Sequence, residues 1–402
     1  MLFRSYSTSA VKIVDMAKNR GIGALVPMGD YNAWVSMIEH FDLEGALPED
    51  AHLPTVIRFC QQILTESNNN LDVIDYSDMV YLPLQRKLRM LQHEWVLVDE
   101  AQDTNPTRRA LARKLLAPNG RLVAVGDPYQ AIFGFTGADN DSLEQIEQDF
   151  EAIKLPLTIT YRCPKAVVKH AQQWVSHIEA GDTAPEGEVL EIDYADLLPM
   201  VTVNDAILCR YNKYLVNLCF KLIRNGIPAK IEGRNVGEGL IAMTKKWKVV
   251  KLDALKNRVE AFMEREVKKA LDKQQEDKAD RIADQCETML VLINRGVEQN
   301  VADVKGLADM IRSMFEDGTA DKPVVTLCSC HKSKGLEWDR VFLLGRAELM
   351  PSQYAVQEWQ QQQEINLIYV AVTRAKQTLV EVNGVKEEKD QSSDTSYGGQ
   401  PA

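Results

Sequence analysis

Short, unbroken apolar runs that stop abruptly at polar turns set the rhythm of this chain. Trp95-Val96-Leu97-Val98 runs into Asp99-Glu100, and Arg121 to Val125 runs into Gly126-Asp127-Pro128. Ala206 to Cys209, Val324 to Cys328 and Val341 to Leu344 have the same form. Segments of helical period lie between them. The clearest opens at Asn105-Pro106, an N-cap followed by proline at the first helical position, and runs through Leu116. Apolar runs without alternation belong to parallel strands covered on both faces, so the pattern predicts an α/β protein built on parallel sheets. In such folds chemistry collects at the carboxyl ends of the strands. No repeat at a fixed period is present, which excludes a solenoid or a propeller.

Other stretches differ in texture. The residues before about 95 are mostly helical in pattern, with loops near Pro48 and Pro54 and a polar run at Asn68 to Asn70. From about 245 to 316 glycine and proline nearly vanish, and the pattern predicts two or three helices inserted between strand-rich parts. Residues 386–402 are polar and rich in Ser, Gly and Gln, a predicted disordered tail. A length of 402 residues allows two or three domains. With 45% apolar and 26% charged residues, the composition excludes disorder as the main state. The seven cysteines are odd in number and scattered, which points to reduced thiols in the cytoplasm. No apolar run is long enough to span a membrane, and Met1 to Lys18 lacks the apolar core of a signal peptide. A net charge of −11 argues against coating nucleic acid with the whole surface and leaves room for a local groove. Lys245 to Arg281 carry twelve basic residues against eight acidic ones, read as a solvated helix face.

Candidate chemistry begins where the first strand ends. In Val98-Asp99-Glu100-Ala101-Gln102-Asp103, Asp99 is placed to hold a Mg²⁺ shell and Glu100 to orient or deprotonate a water attacking a γ-phosphate. Some 25 residues on, Gly126-Asp127-Pro128-Tyr129-Gln130-Ala131-Ile132-Phe133-Gly134-Phe135 offers Gln130 as a neutral sensor of phosphate or water. Phe133 and Phe135, bracketed by glycine, suit base stacking. Cys328-Ser329-Cys330-His331 has metal-ligand residue types but no second pair at finger spacing, and an alternating strand accounts for it.

These segments resemble motifs II and III of the UvrD/Rep-type helicases of superfamily 1, and further landmarks follow in that family's order. Thr160-Tyr161-Arg162 resembles motif IV, His331-Lys332-Ser333-Lys334-Gly335-Leu336-Glu337 closes a segment resembling motif V, and Glu364 to Lys376 resembles motif VI. The resemblance implies two RecA-like domains, the first incomplete. Residues 1–95 would be its helical, 1B-like part, 96–158 domain 1A, and 159–385 domain 2A with a 2B-like helical insertion at about 241–320. It further implies ATP and Mg²⁺ as cofactors and single-stranded and forked DNA as partners, with 3′-to-5′ movement. Tyr161 would stack on adenine, Gln102 and Glu337 would hold the nucleotide, and Arg162 and Arg374 would supply charge to the γ-phosphate. Phe133, Phe135, His331, Ser333 and Lys334 would meet DNA. Thr136 departs from the basic residue usual at its place in motif III.

One part of the pattern is missing. The phosphate loop G-x-x-x-x-G-K-[ST] requires a Gly-Lys pair, and none occurs in the chain. The expectation is therefore the C-terminal portion of a helicase whose phosphate loop lies on a separate or upstream piece, with no ATPase in the isolated chain. The alternative is a degenerate, non-hydrolysing module that binds DNA or a protein partner.

Overall fold

A computed structural model describes residues 2–41, 43, 52–132, 141–272, 276–314 and 323–385. Phe133, Phe135 and Thr136, like the tail expected at 386–402, lie outside the described residues. The chain divides into two compact units, residues 1–156 and 157–402.

The first unit opens with four helices, α1 (Leu2–Asn19), α2 (Tyr31–His40), α3 (Leu53–Asn69) and α4 (Tyr76–Gln85). Ile13, Ala17, Trp34, Ile38, Leu64 and Tyr81 close into one core. Its buried polar tips are satisfied. Trp34 Nε1 donates to Met28 O at 2.9 Å and Tyr81 Oη to Ile22 O at 2.8 Å. Gly23 has φ +89°, and a Cβ there would stand 2.5 Å from Tyr81 Oη, so the turn admits only glycine. A capping box of Asp75 and Asp78 starts α4, and buried Lys18 reaches both carboxylates, at 2.9 and 2.6 Å. Burial would raise the Asp75 carboxyl, but the hydrogen bonds from Lys18 and the Asp78 amide outweigh it and hold the group below its ordinary range.

After these helices come β1 (His93–Val98), α5 (Pro106–Leu115), β2 (Leu116–Ala124) and α6 (Ser142–Phe150). The cap expected at Asn105 is present, its side chain accepting from Arg108 N at 2.9 Å. β1 and β2 pair in parallel, with Leu97 opposite Val123 and Val98 opposite Ala124. β2 starts at Leu116, earlier than the apolar run beginning at Arg121 predicts.

The second unit holds β3 (Ile159–Thr160), α7 (Lys165–Ala171), β4 (Glu179–Ala180), β5 (Glu188–Asp193), α8 (Leu197–Met200), β6 (Ala206–Cys209), α9 (Asn212–Arg224) and β7 (Ala229–Ile231). Then follow four consecutive helices, α10 (Arg234–Lys246), α11 (Leu252–Asp272), α12 (Glu276–Glu298) and α13 (Val304–Met314). β8 (Val325–Ser329), β9 (Trp338–Leu344), α14 (Arg346–Leu349), α15 (Glu358–Val372) and β10 (Ala375–Asn383) complete it. Six strands form one parallel sheet in the order β5-β10-β9-β6-β8-β7. Every residue of β6 is buried, as its unbroken apolar sequence requires. β3 is only two residues long, and Pro156, which has no backbone N–H, lies just upstream of it.

Candidate functional site

In the first unit, β1 delivers Asp99 and Glu100 at its carboxyl end. Glu100 lies at φ 49° and ψ 44°, a left-handed conformation that costs a non-glycine residue about 1–3 kcal/mol and persists only where its surroundings impose it. Its own amide donates to Asp99 Oδ1 at 2.9 Å. Gln102, 2% exposed, bridges Glu100 to the loop after the second strand. Its Nε2 donates to Glu100 Oε2, while its Oε1 accepts the Asp127 amide at 3.0 Å. Asp127 in turn accepts the Tyr129 amide and Gln130 Nε2, each at 2.9 Å. One hydrogen-bonded chain thus runs from Glu100 through Gln102 and Asp127 to Gln130, joining the loops after the two strands. Gly126 makes this approach possible, since a Cβ there would fall 2.5 Å from Gln102 Oε1. The sequence reading puts Gln102 on the nucleotide. In the structure this buried amide is engaged at both ends, by the Glu100 carboxylate and by the Asp127 amide. Beneath the loops, Asp99, Glu100, Arg108, Arg109, Ile146 and Phe150 line a cavity of about 290 Å³.

In the second unit, Tyr161 is 84% exposed, its ring set against Gly181, where a Cβ would lie 3.2 Å away. Arg162 Nε donates to Glu337 Oε2 at 2.9 Å, and Lys376 stands 3.8 Å from the same carboxylate. Motifs IV, V and VI therefore meet at Arg162, Glu337 and Lys376. Arg374 is close enough for the Arg162 charge to act on it, but it does not reach solvent. Its guanidinium donates to Val370 O at 2.7 Å, Leu336 O at 3.3 Å and Thr373 Oγ1 at 3.0 Å. Burial, with the neighbouring positive charge of Arg162, pulls its pKa down to about 10. Arg374, expected to supply charge to the γ-phosphate, is in this structure a buried cation bonded to the end of α15.

The residues expected on DNA also divide. Ser333 is fully buried and donates to Cys330 O at 2.7 Å, closing the loop after β8. Burial and the Arg210 charge push His331 down to about 3, which makes it a neutral group near pH 7. Lys334 is half-buried.

A second polar centre escapes the sequence reading. Arg210, at the end of β6, donates through Nε to both oxygens of Glu364 on α15, at 3.0 and 3.1 Å, and through Nη2 to Asp280 on α12 at 2.8 Å. Asn212 donates to Asp284 at 2.9 Å, and Lys213 pairs with Glu287. Asp280, Asp284 and Glu287 follow the i, i+4, i+7 spacing of one helix face, the signal by which they could have been found. Burial raises the Asp280 and Asp284 pKa values.

Strand-end carboxylates, a glycine-spaced loop joined to them and parallel sheets define a protein of α/β architecture consistent with two RecA-like domains. Similarity to known proteins agrees. Residues 32–151 match the UvrD/REP helicase N-terminal domain and residues 240–382 the UvrD-like helicase C-terminal domain. A probable DNA helicase of Mycoplasma pneumoniae is 26% identical over 342 residues, 81% of this chain and 51% of that protein. The ATP-dependent DNA helicase Rep of Escherichia coli is 34% identical over 109 residues, 25% of this chain and 16% of Rep. The ATP-dependent DNA helicase srs2 of Schizosaccharomyces pombe is 35% identical over 115 residues, 27% of this chain and 12% of srs2. The chain belongs to the UvrD/Rep-type helicases of superfamily 1. It spans about half the length of the Mycoplasma relative, and less of the others.

Proposed function

We propose that this chain is the motif II to VI part of a helicase that hydrolyses ATP and moves 3′ to 5′ along single-stranded DNA, opening forked substrates. The observation that carries the reading is Glu100, left-handed in backbone and hydrogen-bonded to a buried residue whose other end accepts the Asp127 amide of the motif III loop. Such strain clusters where chemistry needs a pre-set carboxylate. Asp99 would hold the Mg²⁺ that accompanies ATP, and Glu100 would orient the attacking water, with Gln130 reporting on it. In the second unit, exposed Tyr161 suits adenine stacking, Glu337 the ribose and Arg162 the phosphates. Phe133, Phe135 and Lys334 are assigned to DNA. A phosphate loop supplied from outside these 402 residues completes the enzyme, and the chain by itself is inactive.

Arg374 takes part only if its guanidinium exchanges Val370 O and Leu336 O for phosphate oxygens. Its burial, like the lack of a Gly-Lys pair, favours the non-hydrolysing reading. One assay decides between the two. ATP turnover is measured with and without single-stranded DNA after the phosphate-loop polypeptide is added, for the wild type and for Glu100→Gln. DNA-stimulated turnover that is lost in Glu100→Gln is the expected result. Equal turnover in both proteins, or none in either, refutes the proposal.

A further inference from the structure

Three segments of the second unit converge on Glu337, and they do not treat its two oxygens alike. Arg162 Nε donates to Oε2 at 2.9 Å, whereas Lys376 Nζ stands 3.8 Å from Oε1, beyond hydrogen-bond reach, and 3.4 Å from Asp339 Oδ1. The sheet fixes where these groups start. Trp338 N donates to Arg374 O at 3.0 Å, and Ala375 lies opposite Trp338 in the parallel pairing of β9 and β10. The backbone just before Lys376 is thus sewn to the backbone just after Glu337. Glu337 and Asp339, two residues apart, turn to the same side, and the Lys376 ammonium lies within 4 Å of both. Arg374, beside them, is buried and already bonded to Val370 O, Leu336 O and Thr373 Oγ1. Lys376 instead has a side chain 39% exposed on a backbone anchored by buried Ala375, so its ammonium can swing while its Cα stays in place.

Ribose hydroxyls would donate to the same carboxylate oxygens that face Arg162 and Lys376, and the terminal phosphate of a nucleotide lies at the far end from its ribose. A nucleotide therefore draws Arg162 off Glu337, and the carboxylate loses its hydrogen-bonded cation at the moment it must hold still. We propose that Lys376 is the positioning residue that replaces it: as Arg162 leaves for the phosphates, Lys376 exchanges Asp339 for Glu337, holds Oε1 and leaves Oε2 turned to the ribose, an exchange that rests on the nucleotide site proposed above. The Arg162–Glu337 pair is then the resting, nucleotide-free state of the site. Asp339, 67% exposed, parks the ammonium until it is needed. All the partners are part-exposed, so the exchange costs little and its effect on affinity is modest.

The full chain carrying Arg162→Gln reproduces the departure of the guanidinium without any nucleotide. Its crystal structure should show Lys376 Nζ closed onto Glu337 at about 2.8 Å. Lys376 still at Asp339, or turned to solvent, overturns the exchange. Binding of Mg²⁺-ATP to the full chain is then followed by saturation-transfer NMR on the adenine protons, which registers weak complexes. Lys376→Gln should weaken binding about two- to fivefold, the scale of an exposed ion pair, and Lys376→Arg should restore it. In a Glu337→Gln background, Lys376→Gln should have no further effect. A loss that persists there means that Lys376 touches the nucleotide itself, and equal affinity of wild type and Lys376→Gln means that it does nothing for the site; either result overturns the exchange. Absence of ATP binding in the wild type instead refutes the nucleotide site, whatever the Arg162→Gln structure shows.

Discussion

Replacing Gly126 by alanine tests the connection between the two strand-end loops with a single methyl group. Gly126 does not occupy the left-handed region, so only the volume of the new side chain is at stake. Its Cβ would lie 2.5 Å from Gln102 Oε1, 3.0 Å from Gln102 N and 3.1 Å from Ala101 N. The first atom is buried and hydrogen-bonded to Asp127, and the other two are backbone, so none can yield without displacing Glu100. Overpacking of this kind costs about 1–3 kcal/mol, which corresponds to a roughly 5- to 150-fold rise in local opening. Hydrogen exchange of the amides at 98–104 and 125–130 reads that opening directly. Gly29→Ala is the control, because a Cβ there meets nothing within 4 Å. Gln102→Ala removes the nearest clashing atom but leaves the part-buried Asp127 amide without this acceptor, at a cost of about 1–3 kcal/mol on its own. The double variant should therefore lose less than the two single losses combined, a coupling that a mutant cycle resolves. Exchange in Gly126→Ala no faster than in Gly29→Ala, or strict additivity with Gln102→Ala, would refute the picture of a packed joint.

Three further outcomes follow from the buried charges. Arg374→Ala removes the guanidinium donor from Val370 O, Leu336 O and Thr373 Oγ1, of which Val370 O keeps only the Thr373 hydroxyl at 3.2 Å, and should destabilise the second unit by about 2–4 kcal/mol in urea unfolding, with Arg374→Lys rescuing only part because lysine lacks the planar fork. His331 has a folded pKa of about 3 against an ordinary 6.5, so the stability it lends is complete above pH 6.5 and drains as pH falls toward 3. Its share at pH 5 is lower by about 2 kcal/mol, visible as the difference between wild type and His331→Gln, while Asp280 and Asp284, raised by burial, act in the opposite direction. Lys18→Met abandons Asp75 and Asp78 and should lower the first unit's stability by about 3 kcal/mol at pH 7. That deficit should narrow as pH falls through the depressed Asp75 pKa, since the ion pair is present only above it, and a pH series of melting temperatures measures the convergence.

The strand ends were legible in the sequence because an unbroken apolar run followed by Asp-Glu or Gly-Asp has few other readings. The helix cap at Asn105 and the four buried residues of β6 could be read for the same local reason. Long-range partnerships could not. Gln102 looks like a ligand-facing amide until Gly126, 24 residues away, is seen to make room for it. Nothing in the run Tyr369 to Lys376 shows that Arg374 is buried, because one of the carbonyls it bonds comes from Leu336, on another segment. The Arg210 centre assembles from β6, α12 and α15, and no window of sequence contains all three.

That centre also limits how the protein could be shortened. The helices from α10 to α13 look like a cassette between β7 and β8, removable in principle by joining two neighbouring strands. Yet α12 supplies Asp280 to Arg210 and Asp284 to Asn212, so excising the cassette would strip a buried guanidinium of one of its two counter-charges. Loss of residues from α11 leaves those pairs intact, whereas loss of α12 must be matched by a change at Arg210. Trimming of this insertion, in the laboratory or in descent, is thus expected to stop at α12.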